Sequence, residues 1–234
     1  MADIMIFKRK EKKYLINSSQ YEQLLSIIND RLIPDKHGKS TLCSLYLDTL
    51  DYLLIRNSID AVSYKEKLRL RSYGVPDDDK KIFFEIKKKY KGVVHKRRVS
   101  MTKRDAFEYI QTQEMPFDSQ IMREIDYLMR FYRHPEPNVC ILCEREAYFW
   151  QENLDIRLTF DKDIRYRRGF PNEENVSDGV RIIDEGEFIL EIKTLGAMPI
   201  ELARALSECK IYPRSFSKYA HAYYDIIEKE GKRE

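Results

Sequence analysis

The segment Tyr64-Lys65-Glu66-Lys67-Leu68-Arg69-Leu70-Arg71 alternates basic side chains with other types at a period of two residues. Successive side chains of a β-strand point to opposite faces of the sheet, so this alternation predicts a strand. One face of that strand carries four basic side chains, Lys65, Lys67, Arg69 and Arg71. Leu68 and Leu70 take the other face. The segment therefore predicts a sheet with an apolar face and a cationic face.

Two later segments repeat this pattern and extend the cationic face. Phe83–Lys89 places Glu85, Lys87 and Lys89 on one side, and His95–Ser100 places Lys96, Arg98 and Ser100 on one side. For any single strand, a solvated face opposite an apolar core is the favoured explanation of the alternation. A solvated face normally mixes charges of both signs, however, because like charges repel. Three successive cationic strands therefore favour a polyanion site, since a bound polyanion relieves both repulsion and desolvation.

The rest of the chain predicts an α+β fold built on an antiparallel β-barrel of about eight strands. The strands predicted by alternation are Phe7–Ile16, Thr41–Leu47, Ser63–Tyr73, Lys81–Tyr90, Val93–Met101, Val139–Trp150, Leu154–Phe160 and Phe188–Thr194. The predicted helices are Ser19–Leu32, Lys103–Gln111, Ser119–Phe131, Pro199–Cys209 and Lys218–Glu228, which we expect to pack outside the barrel. Closing the sheet would remove its edge strands and leave a basic tunnel. Residues 1–234 are expected to form a single domain.

The composition restricts the function classes. The chain has 42 Lys and Arg against 39 Asp and Glu, and its net charge of +3 argues against extended nucleic-acid binding. No apolar run approaches the ~18 residues that a membrane span needs, and the N-terminus has no secretory pattern. We therefore expect a cytoplasmic protein, which could act together with a membrane-protein partner. The four cysteines are interpreted as reduced core residues, because Cys140 and Cys143 would point to opposite faces of one strand.

Basic residues on the remaining strands suit a linear chain of phosphates. Arg offers a planar fork to phosphate oxygens and Lys a compact charge. Glu191, which shares its face with Lys193, could hold a divalent metal that bridges phosphate oxygens, or could form a salt bridge with a nearby cation. Near the C-terminus, Ser217 and Lys218 stand at a predicted helix start, where a phosphate contact and an ordinary Ser cap are equally open.

Taken together, the motifs resemble the catalytic domain of the vacuolar transporter chaperone (VTC) polyphosphate polymerases. That domain belongs to the triphosphate tunnel metalloenzymes, which are related to the CYTH phosphatases. The resemblance extends from Phe7 to about Tyr224. It rests on these motifs in this order: Arg9-x-Glu11-x-Lys13, Leu45-Tyr46-Leu47-Asp48, Leu68-Arg69-Leu70-Arg71, Phe84-Glu85-Ile86-Lys87, Lys96-x-Arg98, Arg145-x-Ala147, Arg157-Leu158-Thr159, Leu190-Glu191-Ile192-Lys193 and Phe216-Ser217-Lys218. Ser215 and Cys143 depart from the pattern of the family, which has a Lys and an aromatic hydroxyl there.

The resemblance implies a tunnel that binds ATP and the growing polyphosphate or triphosphate chain. The residues it implies for catalysis are Lys13, Arg69, Arg71, Lys87, Lys96, Arg145, Arg157 and Lys218. It implies further phosphate contacts at Arg98 and Ser217, and the face pattern adds Lys67 and Lys193. It makes Glu191 the ligand of Mn²⁺ or Mg²⁺.

The expected activity is an ATP-dependent polyphosphate polymerase. Hydrolytic CYTH relatives open with an ExExK strand, whereas Arg9 stands at the first glutamate position here. Hydrolysis needs a water activated by carboxylates and metal, while an ionised phosphate acceptor needs only positioning and reduced repulsion. One carboxylate among many cations therefore favours transfer. A metal-dependent tripolyphosphatase or nucleoside triphosphatase, including one that acts on RNA 5′-triphosphates, and a non-catalytic polyphosphate- or nucleotide-binding module remain the alternatives.

Overall fold

The computed structural model describes residues 10–60, 62–91 and 93–231. Within these ranges, nine strands account for the sheet. They are β1 (Lys10–Asn17), β2 (Leu32–Asp48), β3 (Tyr64–Tyr73), β4 (Lys81–Tyr90), β5 (Val93–Thr102), β6 (Glu136–Trp150), β7 (Asn153–Arg167), β8 (Val180–Arg181) and β9 (Glu187–Thr194). All eight predicted strands are present. The part of the first prediction that covers Phe7 to Arg9 lies outside the described residues. The short β8 was missed, because a two-residue strand carries no periodicity.

The described part of the chain also contains six α-helices: α1 (Ser18–Ile28), α2 (Leu53–Ile59), α3 (Lys103–Thr112), α4 (Gln120–Phe131), α5 (Ile200–Glu208) and α6 (Lys218–Gly231). Polar residues just before the apolar runs predict caps at Thr102 for α3 and at Asp118 or Ser119 for α4, and Thr102 and Ser119 cap these helices. For α1 the same reasoning predicts a cap at Ser18 or Ser19, which was wrong: Asn17 caps α1 in a reciprocal pair with Gln20.

The sheet has the strand order β1-β9-β7-β6-β2-β3-β4-β5, with β8 paired to β7. The registered pairs β1–β9, β9–β7, β7–β8, β2–β3, β3–β4 and β4–β5 are all antiparallel. The predicted α+β class and the antiparallel sheet are confirmed. Among the described residues, no ladder joins β5 to β1, so the sheet is not closed by strand pairing.

The chain divides into two compact units, each with its own hydrophobic core. The first comprises the described residues within 1–40, 143–164 and 183–216, and the second comprises the described residues within 41–142, 165–182 and 217–234. In the first unit, Leu24 and Ile28 of α1 pack with Leu158 and Leu190 of the sheet. In the second unit, the apolar faces of β3 and β4 pack against α3 and α4. The expectation of a single domain stays a prediction.

The core explains why the strands alternate. Leu68 and Leu70 are fully buried on the side of β3 that α3 and α4 cover, so the basic residues between them point to the opposite face. All four cysteines are buried, which agrees with their interpretation as core residues. In the described part of the chain, no helix is long and apolar enough to cross a membrane.

Candidate anion-binding site

The basic face of the second unit is built from rows of side chains that lie directly opposite one another on neighbouring strands. Lys67 of β3 pairs in register with Lys87 of β4, which pairs with Lys96 of β5. One step along the strands, the next row is Tyr46, Arg69, Glu85 and Arg98. Residues directly opposite on one sheet face have Cβ atoms about 5 Å apart, so three lysines in one row repel each other.

Glu85 is the carboxylate that holds the centre of this face together. Arg69 donates from Nε to Glu85 Oε2 at 2.8 Å, and its Nη2 lies 2.7 Å from the same oxygen. Lys96 Nζ lies 2.5 Å from Oε1, and Arg71 Nε lies 3.9 Å from Oε2. The Glu85 side chain is only 1% exposed. We call Glu85 with Arg69, Arg71 and Lys96 the Glu85 cluster.

The charges in the Glu85 cluster displace the pKa values of its members. Burial would raise the pKa of Glu85, but Arg69, Arg71 and Lys96 outweigh burial and lower it from 4.5 to about 2. Burial lowers the pKa of Lys96 from 10.5 to about 8, and Glu85 opposes that change only in part. Three cations thus face a single carboxylate, and the cluster keeps an excess of positive charge at neutral pH.

Tyr46 lies beside the Glu85 cluster, and the sequence did not single it out as a site residue. Its hydroxyl accepts a hydrogen bond from Arg69 Nη1 at 3.2 Å, and its ring stacks on that of Tyr219 at 4.5 Å. Arg71 Nε donates to the Ser44 hydroxyl at 3.3 Å. Ser44 and Tyr46 lie on the same sheet face as the basic residues, opposite Arg71 and Arg69 of β3. The pairing register of β2 with β3 could therefore have identified both residues.

The remaining predicted residues of the second unit lie at the margins of the Glu85 cluster. The guanidinium of Arg98 lies over the Phe83 ring at 4.6 Å, and Arg98 is exposed. The Ser217 hydroxyl accepts from the amide of Ala220 at 3.3 Å and so caps α6. Lys218 is the first residue of α6 and is partly buried. Ser217 therefore has the ordinary capping role, and its phosphate contact stays a prediction.

The first unit carries a separate cluster around Glu191. Lys13 of β1 lies opposite Glu191 of β9, and Glu11 lies opposite Lys193. Lys193 Nζ contacts the Glu191 carboxylate directly and lies 3.9 Å from Glu11. Lys13 Nζ donates to the carbonyl of Phe216 at 2.9 Å and lies 3.6 Å from Glu11. Burial would raise the pKa of Glu191, but Lys193, Lys13 and Arg145 outweigh burial and lower it.

The two predicted arginines of the first unit are each held by a carboxylate. Arg145 donates from Nε and Nη2 to the two oxygens of Asp161, at 2.5 and 2.7 Å, and Asp161 is 1% exposed. Burial alone would lower the pKa of Arg145, but Asp161 outweighs it and raises the pKa. Arg157 forms an ion pair with the buried Asp35. Neither carboxylate was assigned a role from sequence. The expectation of one carboxylate among many cations is therefore wrong for this unit.

Mg²⁺ or Mn²⁺ is compatible with the Glu191 cluster. The described residues contain no group of three or more His, Cys, Asp or Glu side chains arranged to hold a metal. Mg²⁺ is commonly bound through one or two carboxylates, with water and substrate phosphates as its other ligands. Glu191 is ionised, and Glu11 lies diagonally across from it on the adjacent strand. These two carboxylates are the residues that would hold the ion.

The family follows from comparison with known proteins. The VTC domain model matches residues 8–226, which is nearly the whole chain. The chain belongs to the VTC domain family. No curated protein matches it. A candidate adenylate cyclase from Bacillus halodurans is 12% identical, with a TM-score of 0.55, over 89% of this VTC domain and 95% of that chain. A candidate adenylate cyclase from Vibrio parahaemolyticus is 12% identical, with a TM-score of 0.51, and the match covers 92% of this VTC domain and 97% of that chain. These likenesses show a shared fold.

Within each unit, the structure brings predicted site residues together. Arg69, Arg71 and Lys96 meet at Glu85, and Lys87 lies opposite Lys67 and Lys96. In the other unit, Lys13 and Lys193 surround Glu191, and Arg157 lies opposite Lys193. The roles of all these residues toward phosphate stay predictions.

Proposed function

We propose that this VTC domain is an ATP-dependent polyphosphate polymerase that works inside a basic tunnel. An oxygen of the terminal phosphate of a polyphosphate chain attacks the γ-phosphorus of ATP. The bond between the γ-phosphorus and the β,γ-bridging oxygen breaks, the chain grows by one phosphate, and ADP leaves with the bridging oxygen. Its substrates are ATP and polyphosphate, and a membrane-protein partner could receive the product.

The observation that carries this proposal is the cationic face of β3, β4 and β5. One row consists of Lys67, Lys87 and Lys96, and the adjacent row supplies Arg69 and Arg98 on either side of Glu85. These rows follow one another at about 6.6–6.8 Å along the strands. A linear polyanion laid along the strands would meet a cation at every row, which a compact anion could not do.

Within each unit, the cations would act on a bound phosphate by electrostatic stabilisation. Transfer between two phosphates is slowed by repulsion between anions, and fixed cations reduce that repulsion without reorganising. Buried carboxylates hold Arg69 and Arg145, at Glu85 and Asp161, so these guanidiniums are already oriented before a substrate arrives. A divalent cation held by Glu191 and Glu11 would neutralise charge on a phosphate bound in the first unit.

A triphosphate hydrolase is the second candidate, and one observation favours it. Glu11, Asp161 and Glu191 all belong to strands of the first unit, and Glu11 and Glu191 are diagonal neighbours. Carboxylates with a metal can orient and deprotonate water, which hydrolysis needs. The Arg9 substitution, which favours transfer, lies outside the described residues. The products therefore decide between the two activities.

The test is product analysis of the purified protein with ATP and Mn²⁺ or Mg²⁺. A polymerase releases one ADP for each phosphate added to an acid-labile polymer, whereas a hydrolase releases free phosphate and forms no polymer. Glu191→Ala should abolish turnover and retain tripolyphosphate binding, measured as a rise in melting temperature with added ligand. Glu144→Gln is the matched control, because Glu144 is an exposed carboxylate on β6. Ligand binding without any turnover in the unaltered protein would identify a binding module instead.

A further inference from the structure

Tyr46 lies where a phosphate chain would meet the Glu85 cluster. It faces Arg69 across the β2–β3 ladder, and Arg69 divides its donors between the Tyr46 hydroxyl and Glu85. The guanidinium also lies 5.8 Å from the centre of the Tyr46 ring. Stacking on Tyr219 fixes that ring, so the hydroxyl cannot swing away from the cations. A phosphate that binds Arg69 therefore competes for the same donor as the Tyr46 oxygen.

The charged and titratable groups around Tyr46 come from four elements. They are Lys67, Arg69 and Arg71 from β3, Glu85 from β4, Lys96 from β5 and Tyr219 from α6. The Tyr219 hydroxyl donates a hydrogen bond to Asp48 at 2.8 Å, and burial together with that carboxylate raises the pKa of Tyr219 above its ordinary value. Burial would raise the pKa of Tyr46, but Arg69, Lys67 and Arg71 outweigh it and lower the pKa from 10.0 to about 7.

We propose that Tyr46 is a further phosphate-contacting residue whose hydroxyl is ionised in the empty site and takes up a proton when a phosphate chain binds. The phenolate oxygen satisfies Arg69 while no ligand is present. A bound phosphate chain neutralises Arg69, Lys67 and Arg71, so their positive charge no longer stabilises the phenolate. The proton comes from solvent, and the neutral hydroxyl then donates to a phosphate oxygen. This inference rests on the proposed function, because it requires a phosphate chain at the Glu85 cluster.

The consequence is that phosphate binding weakens as pH rises. A group that must take up a proton on binding lowers affinity by up to about tenfold per pH unit above its pKa in the empty site. Lys96, whose pKa is lowered to about 8, adds a weaker dependence of the same sign. The part due to Tyr46 is the difference between the unaltered protein and Tyr46→Phe, which keeps the stacked ring and removes the ionisable group.

The experiment follows the near-ultraviolet tyrosinate band during a pH titration of the full chain. Without ligand, we expect one tyrosine to ionise near pH 7, and we expect this step to be absent from Tyr46→Phe and present in the exposed control Tyr127→Phe. Adding sodium tripolyphosphate just above neutral pH should then abolish most of the band. Melting temperature, measured in the same samples, reports binding independently.

The outcomes separate this inference from the proposed function. Absence of the neutral-pH step overturns the inference, even if tripolyphosphate still binds and ATP still turns over. The inference is also overturned if tripolyphosphate raises the melting temperature while the tyrosine ionisation near pH 7 persists. If one tyrosine ionises near pH 7 but tripolyphosphate does not bind, both the inference and the proposed function are overturned. In that case the observed ionisation shows that the assignment of phosphate as the ligand is what failed. If Tyr46→Phe does not fold, the loss of the band on adding tripolyphosphate to the unaltered protein decides.

Discussion

Replacing Glu85 tests whether the cationic face depends on its one buried carboxylate. Glu85→Gln keeps the size of the side chain and removes the charge that Arg69, Arg71 and Lys96 share. The cluster lowers the pKa of Glu85 from 4.5 to about 2. At about 1.4 kcal/mol per pKa unit, this corresponds to roughly 3 kcal/mol of stability at neutral pH.

Differential scanning fluorimetry is the assay. A loss of 1 kcal/mol lowers the melting temperature of a chain of this size by about 2–4 °C, so Glu85→Gln should melt roughly 6–12 °C below the unaltered protein. Glu108→Gln is the control, because Glu108 is an exposed residue of α3. The melting temperature of Glu108→Gln should equal that of the unaltered protein.

The pH dependence provides a second check with a defined sign. The folded-state pKa of Glu85 lies below its unfolded value, so its stabilising contribution is complete above about pH 4.5 and disappears as pH falls toward 2. The gap between Glu85→Gln and the unaltered protein should therefore narrow on acidification. A variant that melts within a degree or two of the unaltered protein at neutral pH would refute the electrostatic account of the Glu85 cluster.

Two further predictions concern the carboxylates that hold other parts of the chain. Asp161→Asn removes the buried partner of Arg145, and urea unfolding should show a loss of about 3 kcal/mol; the exposed Asp155→Asn should lose almost nothing, and equal midpoints for both would contradict the pairing. Asp48→Ala removes the acceptor for the amides of Leu54 and Ile55 at the start of α2 and for the Tyr219 hydroxyl. It should cost about 2–3 kcal/mol and accelerate amide hydrogen exchange in α2 and α6, and unchanged exchange would argue against this role.

The binary pattern determined which face each strand residue occupies. The alternation in β3 is strict, and burying Leu68 and Leu70 against α3 and α4 leaves the basic residues no other face. For the same reason each of the eight predicted strands overlaps a strand of the structure, although β2 begins earlier than predicted, at Leu32, and β7 continues further, to Arg167. The short β8 and α2 were not predicted, because segments of two and seven residues carry little periodic signal.

Tertiary structure decided which charges meet. Arg157 and Asp35 are 122 residues apart in sequence, and Arg145 reaches Asp161 across a strand pair. Tyr46 joins the site only because β2 pairs with β3 in that register. The range of an ion pair is a few ångströms in space, while a periodic pattern reports only the direction of each side chain. The sequence alone therefore determined a cationic face, and the three-dimensional register of the strands decided which carboxylates hold its cations in place.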